Sequence, residues 1–315
     1  MPPRVWLFLP TYNEAENLEA IVRATTAQLD VAAPGDWRLL VVDDASPDGT
    51  GALADSLAEE LSGVEVLHRK GKEGLGPAYL AGFEYALKRD AEWVIVMDAD
   101  FSHDPSHLPA MISAAQESDL VLGSRYIDGG QITNWPPLRR VLSRSGSLYA
   151  RLMLGVKVRD LTTGFRCVRR RVIETVEPST LRSQGYVFNI ELTYRALLAG
   201  FSVKEIPIRF QDRQEGESKM SLPIAIEALR LVPKLRGLRT EVVEARSNGA
   251  VRARRVRWRP PRWPRRREGI LGAPGADSAG EQDPDEHPAV SGSSPGSQPE
   301  PGPSPHAATR ARTRG

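Results

Sequence analysis

Short apolar segments alternate with helix-like stretches along the first half of the chain, and this alternation restricts the fold more than any other feature. The segments Val5–Leu9, Arg38–Val42 and Trp93–Met97 are too short for helices and show no regular polar alternation, which is typical of strands buried on both faces. Two weaker strands are predicted at 64–67 and 120–122, and helices at about 14–29, 50–61 and 77–89. The sequence therefore predicts an α/β fold, with a mostly parallel sheet and helices on both faces.

Polar residues follow directly after the three strongest strands. These residues are Tyr12-Asn13-Glu14, Asp43-Asp44 and Asp98-Ala99-Asp100. In an open α/β sheet, ligands bind outside the carboxyl ends of the strands. We therefore expect the three segments to meet at one edge of the sheet and to form a binding site.

Asp98 and Asp100 place two carboxylates at a strand end with one residue between them. Alternate residues of a strand point to the same side, so both carboxylates can address one cation. Mg²⁺ and Mn²⁺ prefer such oxygen ligands. A solvated acidic turn is the simpler alternative, but the neighbouring strand-end acids favour a metal site.

Other polar segments allow several interpretations. Asp43-Asp44 would also suit a phospho-receiver signalling domain, but no later lysine has the position that such a domain needs. The segment Arg69–Gly76 is either a phosphate-binding loop or a flexible loop before a helix, and it lacks the spacing of a P-loop. His68, His103 and His107 have no metal-ligand spacing, and we predict surface or packing roles for them.

The second half of the chain offers further basic and amphipathic segments. A strand is predicted at Val203–Phe210, at a sheet edge because it contains Pro207. Arg213 and Lys219 follow on a glycine-containing loop and could bind phosphates or remain solvated. The segments Leu138–Leu154 and Ser221–Leu235 are predicted to be amphipathic helices, which either lie in a membrane headgroup region or pack on the sheet.

Several of these motifs together resemble those of family-2 glycosyltransferases, and more narrowly the dolichol- or polyprenol-phosphate mannose synthases. The resemblance covers residues 4 to about 235. The matching segments are Pro10–Leu18, Val42–Thr50, Asp98–Asp100, Gly123–Tyr126, Asp160–Phe165, Gly185–Phe188 and the pair Arg213 and Lys219.

The resemblance implies a GT-A fold, GDP-mannose as donor, polyprenyl phosphate as acceptor and Mg²⁺ or Mn²⁺ as cofactor. By position, the metal would be held by Asp98 and Asp100, with the backbone of Ala99 alongside. Ser102 stands where some members have a metal-contacting glutamine, and it would be a shorter ligand. The nucleotide would be held by Pro10, Tyr12, Glu14, Val42 and Asp44, and the phosphates by Arg125, Arg213 and Lys219.

The chemistry needs few protein groups. A phosphate monoester has a second pKa of about 6, so the acceptor is already an anionic nucleophile near neutral pH and no strong general base is required. We expect a single displacement with inversion at the sugar, in which Asp100, Arg125, Arg213 and Lys219 are the catalytic set. The alternatives are a transferase that uses a UDP-sugar such as UDP-glucose, and a nucleotide- or nucleic-acid-binding module without activity.

Composition suggests where the folded domain ends. The 75 residues after Thr240 have 13 arginines against 9 acidic residues and are rich in proline, so we predict a catalytic domain over 1–240 and a disordered tail over 241–315. The single cysteine, Cys167, excludes an intramolecular disulfide.

The expected location follows from the lipid acceptor. No leader sequence or spanning apolar run of about 20 residues is evident, so we expect a cytoplasmic enzyme, peripheral at the inner face of the cell membrane. The arginine-rich segment Arg246–Arg267 is expected to contact anionic lipid, and a nucleic-acid-binding arm or a solvated tail are the alternatives. A membrane-protein partner is the other route to anchoring.

Overall fold

The computed structural model describes residues 4–181, 186–211 and 229–238. The strands in chain order are β1 (Val5–Thr11), β2 (Trp37–Asp43), β3 (Val64–His68), β4 (Trp93–Val96), β5 (Leu120–Ser124), β6 (Gln131–Thr133), β7 (Arg166–Arg169), β8 (Val203–Pro207) and β9 (Arg209–Gln211). The helices are α1 (Ala15–Ala32), α2 (Thr50–Glu60), α3 (Leu75–Leu87), α4 (Leu108–Glu117), α5 (Pro137–Leu154), α6 (Arg170–Val176) and α7 (Tyr186–Ala199), with residues 229–238 forming α8.

Seven strands form the main sheet in the order β3-β2-β1-β4-β7-β5-β8. The β3-β2-β1-β4 half is parallel throughout, and β5 pairs with β8 in parallel. Only β7 is antiparallel to its neighbours β4 and β5. The predicted mostly parallel sheet is therefore confirmed, and the carboxyl ends of β1, β2, β4 and β5 lie at the same edge.

Helices cover both faces of the sheet, as the sequence predicted. On one face α1, α2 and α4 pack through residues spaced by three and four, such as Leu18, Ile21 and Val22 of α1. On the other face α3, α6, α7 and α8 pack against the alternate strand residues, including Trp6 and Phe8 of β1. This pattern of two apolar layers is why the strand segments contain almost no polar residue.

The predicted strand over Val203–Phe210 is wrong in one respect, because the chain changes partner at Ile208. β8 lies at the sheet edge, as expected, and ends at Pro207. The Ile208 N–H donates to the Ser124 carbonyl (3.1 Å), whereas its own carbonyl accepts from the Gln131 N–H (2.9 Å). β9 consequently pairs with β6 in a separate two-stranded sheet. The predicted boundary near residue 240 and the predicted tail lie outside the described residues and stay predictions.

Candidate active site

The turn after β4 brings the two predicted metal ligands together with a histidine. The backbone N–H of Asp98 donates to Nδ1 of His103 (3.2 Å), and the backbone N–H of Ser102 donates to Oδ1 of Asp100 (3.0 Å). Phe101, between them, has a φ of 56°, a left-handed conformation that is unfavourable for a bulky residue. The local hydrogen bonds therefore hold a strained turn that places Asp98 and the buried Asp100 at the edge of the sheet.

His103 is buried between aromatic rings, which fits the packing role predicted for it and adds a hydrogen bond that the sequence does not reveal. Its ring stacks on Phe165 (centroids 5.2 Å apart) and meets the edge of Phe210 (5.4 Å). Burial lowers the pKa of His103, while the nearby Asp98 and Asp100 oppose that shift. Nδ1 accepts a hydrogen bond, so in the neutral ring the proton is on Nε2.

The oxygen atoms of this turn are suitable ligands for a hard divalent cation. The hydroxyl of Ser102 is buried and has no hydrogen-bond partner among the described residues. In that part of the chain, no group of three or more His, Cys, Asp or Glu side chains is arranged to hold a metal. A cation bound by Asp98 and Asp100 would thus take its remaining ligands from water and from a substrate's phosphates, which is the usual arrangement for Mg²⁺.

The ends of β1 and β2 hold the residues predicted to bind a nucleotide. Pro10 and Val42 are neighbours in the β1–β2 ladder, and the Asp44 N–H donates to the Thr11 carbonyl (3.1 Å). Thr50 Oγ1 accepts from the Glu14 N–H (3.0 Å), so the turn after β2 also fixes the start of α1. The structure therefore brings these two predicted segments together.

The loop that begins at Arg69 lies against the same residues. The Arg69 guanidinium forms ion pairs with Asp44 and Glu73, and Lys72 Nζ is 3.8 Å from the centre of the Tyr12 ring. Burial raises the pKa of Asp44 although Arg69 opposes the shift. Two cations of the segment Arg69–Gly76 are thus directed towards Tyr12 and Asp44, the predicted nucleotide contacts.

Arg125, at the end of β5, is held by a buried carboxylate. Its Nε and Nη2 each lie 2.8 Å from an oxygen of Asp160, and Nη2 is also 2.8 Å from Thr162 Oγ1. Asp160 is fully buried; burial alone would raise its pKa, but the Arg125 guanidinium keeps that pKa below its usual value. The sequence analysis assigns no role to Asp160, although the segment Asp160–Phe165 is part of the resemblance to the glycosyltransferases.

The Asp160–Phe165 segment connects the Arg125 pair to the Asp98 turn. A Cβ atom on Gly164 would lie 3.7 Å from Asp98 Oδ1 and 3.6 Å from His103 Cε1. The Arg125 guanidinium carbon is also 5.2 Å from the centre of the Phe210 ring, which contacts His103. The structure therefore brings together the predicted residues after β4 and β5. The predicted phosphate contacts Arg213 and Lys219 lie outside the described residues.

Helix α5 closes one side of this site with small polar residues. Ser143 Oγ is 2.7 Å from the Tyr126 hydroxyl, and Ser147 Oγ is 3.3 Å from Thr162 Oγ1. Both serines are buried. The inward face of α5 is thus polar where it meets the Arg125–Asp160 pair.

The sequence of this chain is similar to those of two bacterial mannosyl-transferring enzymes. The chain is 47% identical over 251 residues to polyprenol monophosphomannose synthase of Mycolicibacterium smegmatis, covering 79% of this chain and 92% of that protein. It is 45% identical over 226 residues to undecaprenyl-phosphate mannosyltransferase of Micrococcus luteus, covering 72% and 91%. These relatives confirm the resemblance inferred from the motifs.

The fold has a counterpart among solved structures. Glucosyl-3-phosphoglycerate synthase from Mycobacterium tuberculosis, in complex with UDP, aligns with a TM-score of 0.54 at 16% identity over 75% of this chain and 80% of that one. At this identity the likeness supports the predicted GT-A fold alone. Residues 6–177 match the sequence profile of glycosyl transferase family 2. The chain therefore belongs to glycosyl transferase family 2 and is a glycosyltransferase.

Proposed function

We propose that this chain transfers mannose from GDP-mannose to a polyprenyl phosphate, in a metal-dependent reaction that inverts the sugar. The observation that carries the proposal is the pair of relatives at 47% and 45% identity, whose names join mannose to polyprenol and undecaprenyl phosphates. The alignments cover 92% and 91% of the two relatives, so the similarity extends over most of each chain and not over one motif alone.

Asp98 and Asp100 would hold Mg²⁺ or Mn²⁺, with the Ala99 backbone and the Ser102 hydroxyl alongside. When bound, the cation offsets the charge that develops on the nucleoside diphosphate leaving group. The support for this assignment is the buried Ser102 hydroxyl without a described partner, in the same turn as Asp98 and as Asp100, whose carboxylate accepts the Ser102 N–H. The nucleotide would lie along Pro10, Tyr12, Glu14, Val42 and Asp44.

The acceptor phosphate needs positive charge rather than a base. Arg125 is pre-oriented by Asp160, which reduces the side-chain entropy lost when it contacts a phosphate. Because Asp160 also neutralises Arg125, the pair supplies direction more than net charge. Arg213 and Lys219 are proposed to supply the additional charge that brings two anions together.

We place the enzyme at the cytoplasmic face of the membrane as a peripheral protein. No described helix has both the length and the apolar character needed to cross a bilayer. A polyprenyl acceptor would be embedded in lipid, so the chain would reach it through a surface of its own or through a membrane-protein partner. No nucleic acid is needed for this reaction.

The test is transfer of radiolabelled mannose from GDP-mannose to a short polyprenyl phosphate, with Mg²⁺, with Mn²⁺ and with EDTA. We expect label in the lipid product only when metal is present, and a product with the opposite anomeric configuration to the donor by NMR. UDP-glucose serves as the competing donor. Transfer from UDP-glucose alone would replace the proposed donor, and retained configuration would overturn the single displacement.

A matched pair of variants tests the site. Asp100→Asn should reduce transfer at least about 100-fold, because one carboxylate of the metal pair becomes a neutral amide. Asp90→Asn is the control, since Asp90 is exposed and asparagine tolerates its positive φ of 60°. Equal activity of the two variants would show that the Asp100 carboxylate does not contribute to the reaction.

A further inference from the structure

Helix α5 carries five of its large apolar side chains on the side that is exposed to solvent. Its buried residues are Ser143, Ser147, Ala150 and Leu154. The side chains exposed by half or more are Leu138, Val141, Leu142, Leu148 and Leu152. These five follow a spacing of three and four residues and therefore form one stripe along the helix.

The clustering of these side chains makes the stripe unusual. The described residues include seven large exposed hydrophobic side chains, of which five are on α5. A sixth, Leu229, begins the described part of α8 next to Tyr149, whose hydroxyl donates to the Leu229 carbonyl (3.0 Å). We call these six residues the α5 surface. Large contiguous apolar patches on a protein surface usually mark a site of protein–protein or membrane contact, whereas apolar residues scattered singly do not.

The charges around the α5 surface select its partner. No acidic residue occurs between Gly129 and Arg159, while Arg139, Arg140, Arg144 and Arg151 flank the apolar stripe on α5 itself. Arginine can extend from an apolar boundary into a layer of anionic headgroups. A symmetric dimer through this surface would instead bring the arginines of both copies together, which is unfavourable.

We propose that the α5 surface docks onto an anionic lipid bilayer, with its leucines at the acyl boundary and its arginines among the headgroups. The serine face of α5 contacts Tyr126 and Thr162, which are beside Arg125. Docking would thus place the Arg125 site about one helix diameter, ~10 Å, from the bilayer. The docking itself does not depend on the proposed function, whereas its use in presenting a lipid phosphate does.

The test measures co-sedimentation of the full chain with phosphatidylcholine vesicles, with and without about 30% phosphatidylglycerol. The variant Leu138→Ser/Leu142→Ser/Leu152→Ser should weaken binding to anionic vesicles at least about 30-fold, because it removes three apolar side chains that would leave water on docking, each of them only partly inserted at the acyl boundary. Val31→Ser is the matched control, because Val31 is equally exposed but lies on α1. Arg140→Gln/Arg144→Gln should weaken anionic binding about 5-fold per arginine and leave phosphatidylcholine binding unchanged.

Each outcome decides the proposal. Wild-type binding by the triple-serine variant would overturn it and assign membrane contact to another segment. A shift from dimer to monomer in analytical ultracentrifugation, with unchanged vesicle binding, would also overturn it and assign the surface to a second copy. Transfer to a short, water-soluble polyprenyl phosphate should stay at the wild-type rate in the triple variant. If the wild type fails in that soluble assay but binds vesicles through α5, the proposed function fails while the docking stands.

Discussion

The Arg125–Asp160 pair allows a quantitative prediction about stability. Asp160 is fully buried and accepts hydrogen bonds from the Arg125 backbone N–H, from the Arg125 guanidinium and from the Thr162 hydroxyl. Asp160→Asn preserves the shape of the side chain but turns one acceptor oxygen into a donor and removes the negative charge that Asp160 holds against the Arg125 guanidinium. Breaking a buried ion pair in this way costs about 3–5 kcal/mol. Because Arg125 retains slight exposure, we expect the lower end, a loss of about 3 kcal/mol in the free energy of unfolding.

The assay is urea denaturation followed by circular dichroism, with linear extrapolation to water. Asp128→Asn is the control, because the side chain of Asp128 is fully exposed and its contact with Arg159 is long, at 3.5 Å. That substitution should change the free energy of unfolding by no more than about 0.5 kcal/mol. A loss below about 1 kcal/mol for Asp160→Asn would refute the reasoning, since it would mean that Arg125 is readily rehydrated.

The same pair predicts a pH dependence. The pKa of Asp160 is lowered in the folded protein, so its contribution to stability is complete above the unfolded value of about 3.9 and is lost as the pH falls through the folded pKa. The stability difference between wild type and Asp160→Asn should therefore be full at pH 7 and shrink below about pH 4. A difference that stays constant from pH 7 to pH 3 would contradict this linkage.

Two other predictions concern packing and the Asp98 turn. Gly82→Ala should lower the free energy of unfolding by about 1–3 kcal/mol, because the added Cβ would lie 2.8 Å from the Phe8 ring. Gly146→Ala should raise it by about 0.5–1 kcal/mol, because its Cβ would have no atom within 4 Å and alanine favours the helix. Equal changes for the two variants in urea denaturation would contradict both expectations. His103→Phe should weaken Mn²⁺ binding in the presence of GDP, measured by electron paramagnetic resonance without turnover, because the Asp98 N–H loses its acceptor. His103→Asn places an oxygen near the Nδ1 position and should restore most of that affinity, so equal affinities for the two variants would remove the hydrogen bond as the cause.

The sequence predicted the fold well where one local pattern decides the structure. The apolar runs of β1, β2 and β4 and the polar residues after them located both the sheet and the edge that carries the site. β7 was missed because Arg166-Cys-Val-Arg169 is short and bounded by arginines, and only its place between β4 and β5 makes it a buried strand. Its pairing depends on residues more than 40 positions away, which a local pattern cannot report.

The side-chain contacts of the site depend on tertiary structure in the same way. The His103 ring accepts a backbone N–H five residues earlier, and no spacing of histidines signals such a bond. For α5, the sequence predicted an amphipathic helix but could not decide between packing and a headgroup layer. The serines face inward because Tyr126 and Thr162 offer them hydroxyl partners, and this leaves the stripe from Leu138 to Leu152 on the exposed side.

The strand order has a consequence for folding during synthesis. The β3-β2-β1-β4 half can form once β4 has left the ribosome, but β5 has no partner until β7 appears 42 residues after its own end (124 to 166). At about 5–20 residues per second, β5 would wait for roughly 2–8 s with both edges unpaired. Chains released in that interval would expose open strands from both halves of the sheet. We therefore expect truncations that end between α5 and β7 to aggregate, although they contain every residue of the Asp98 turn.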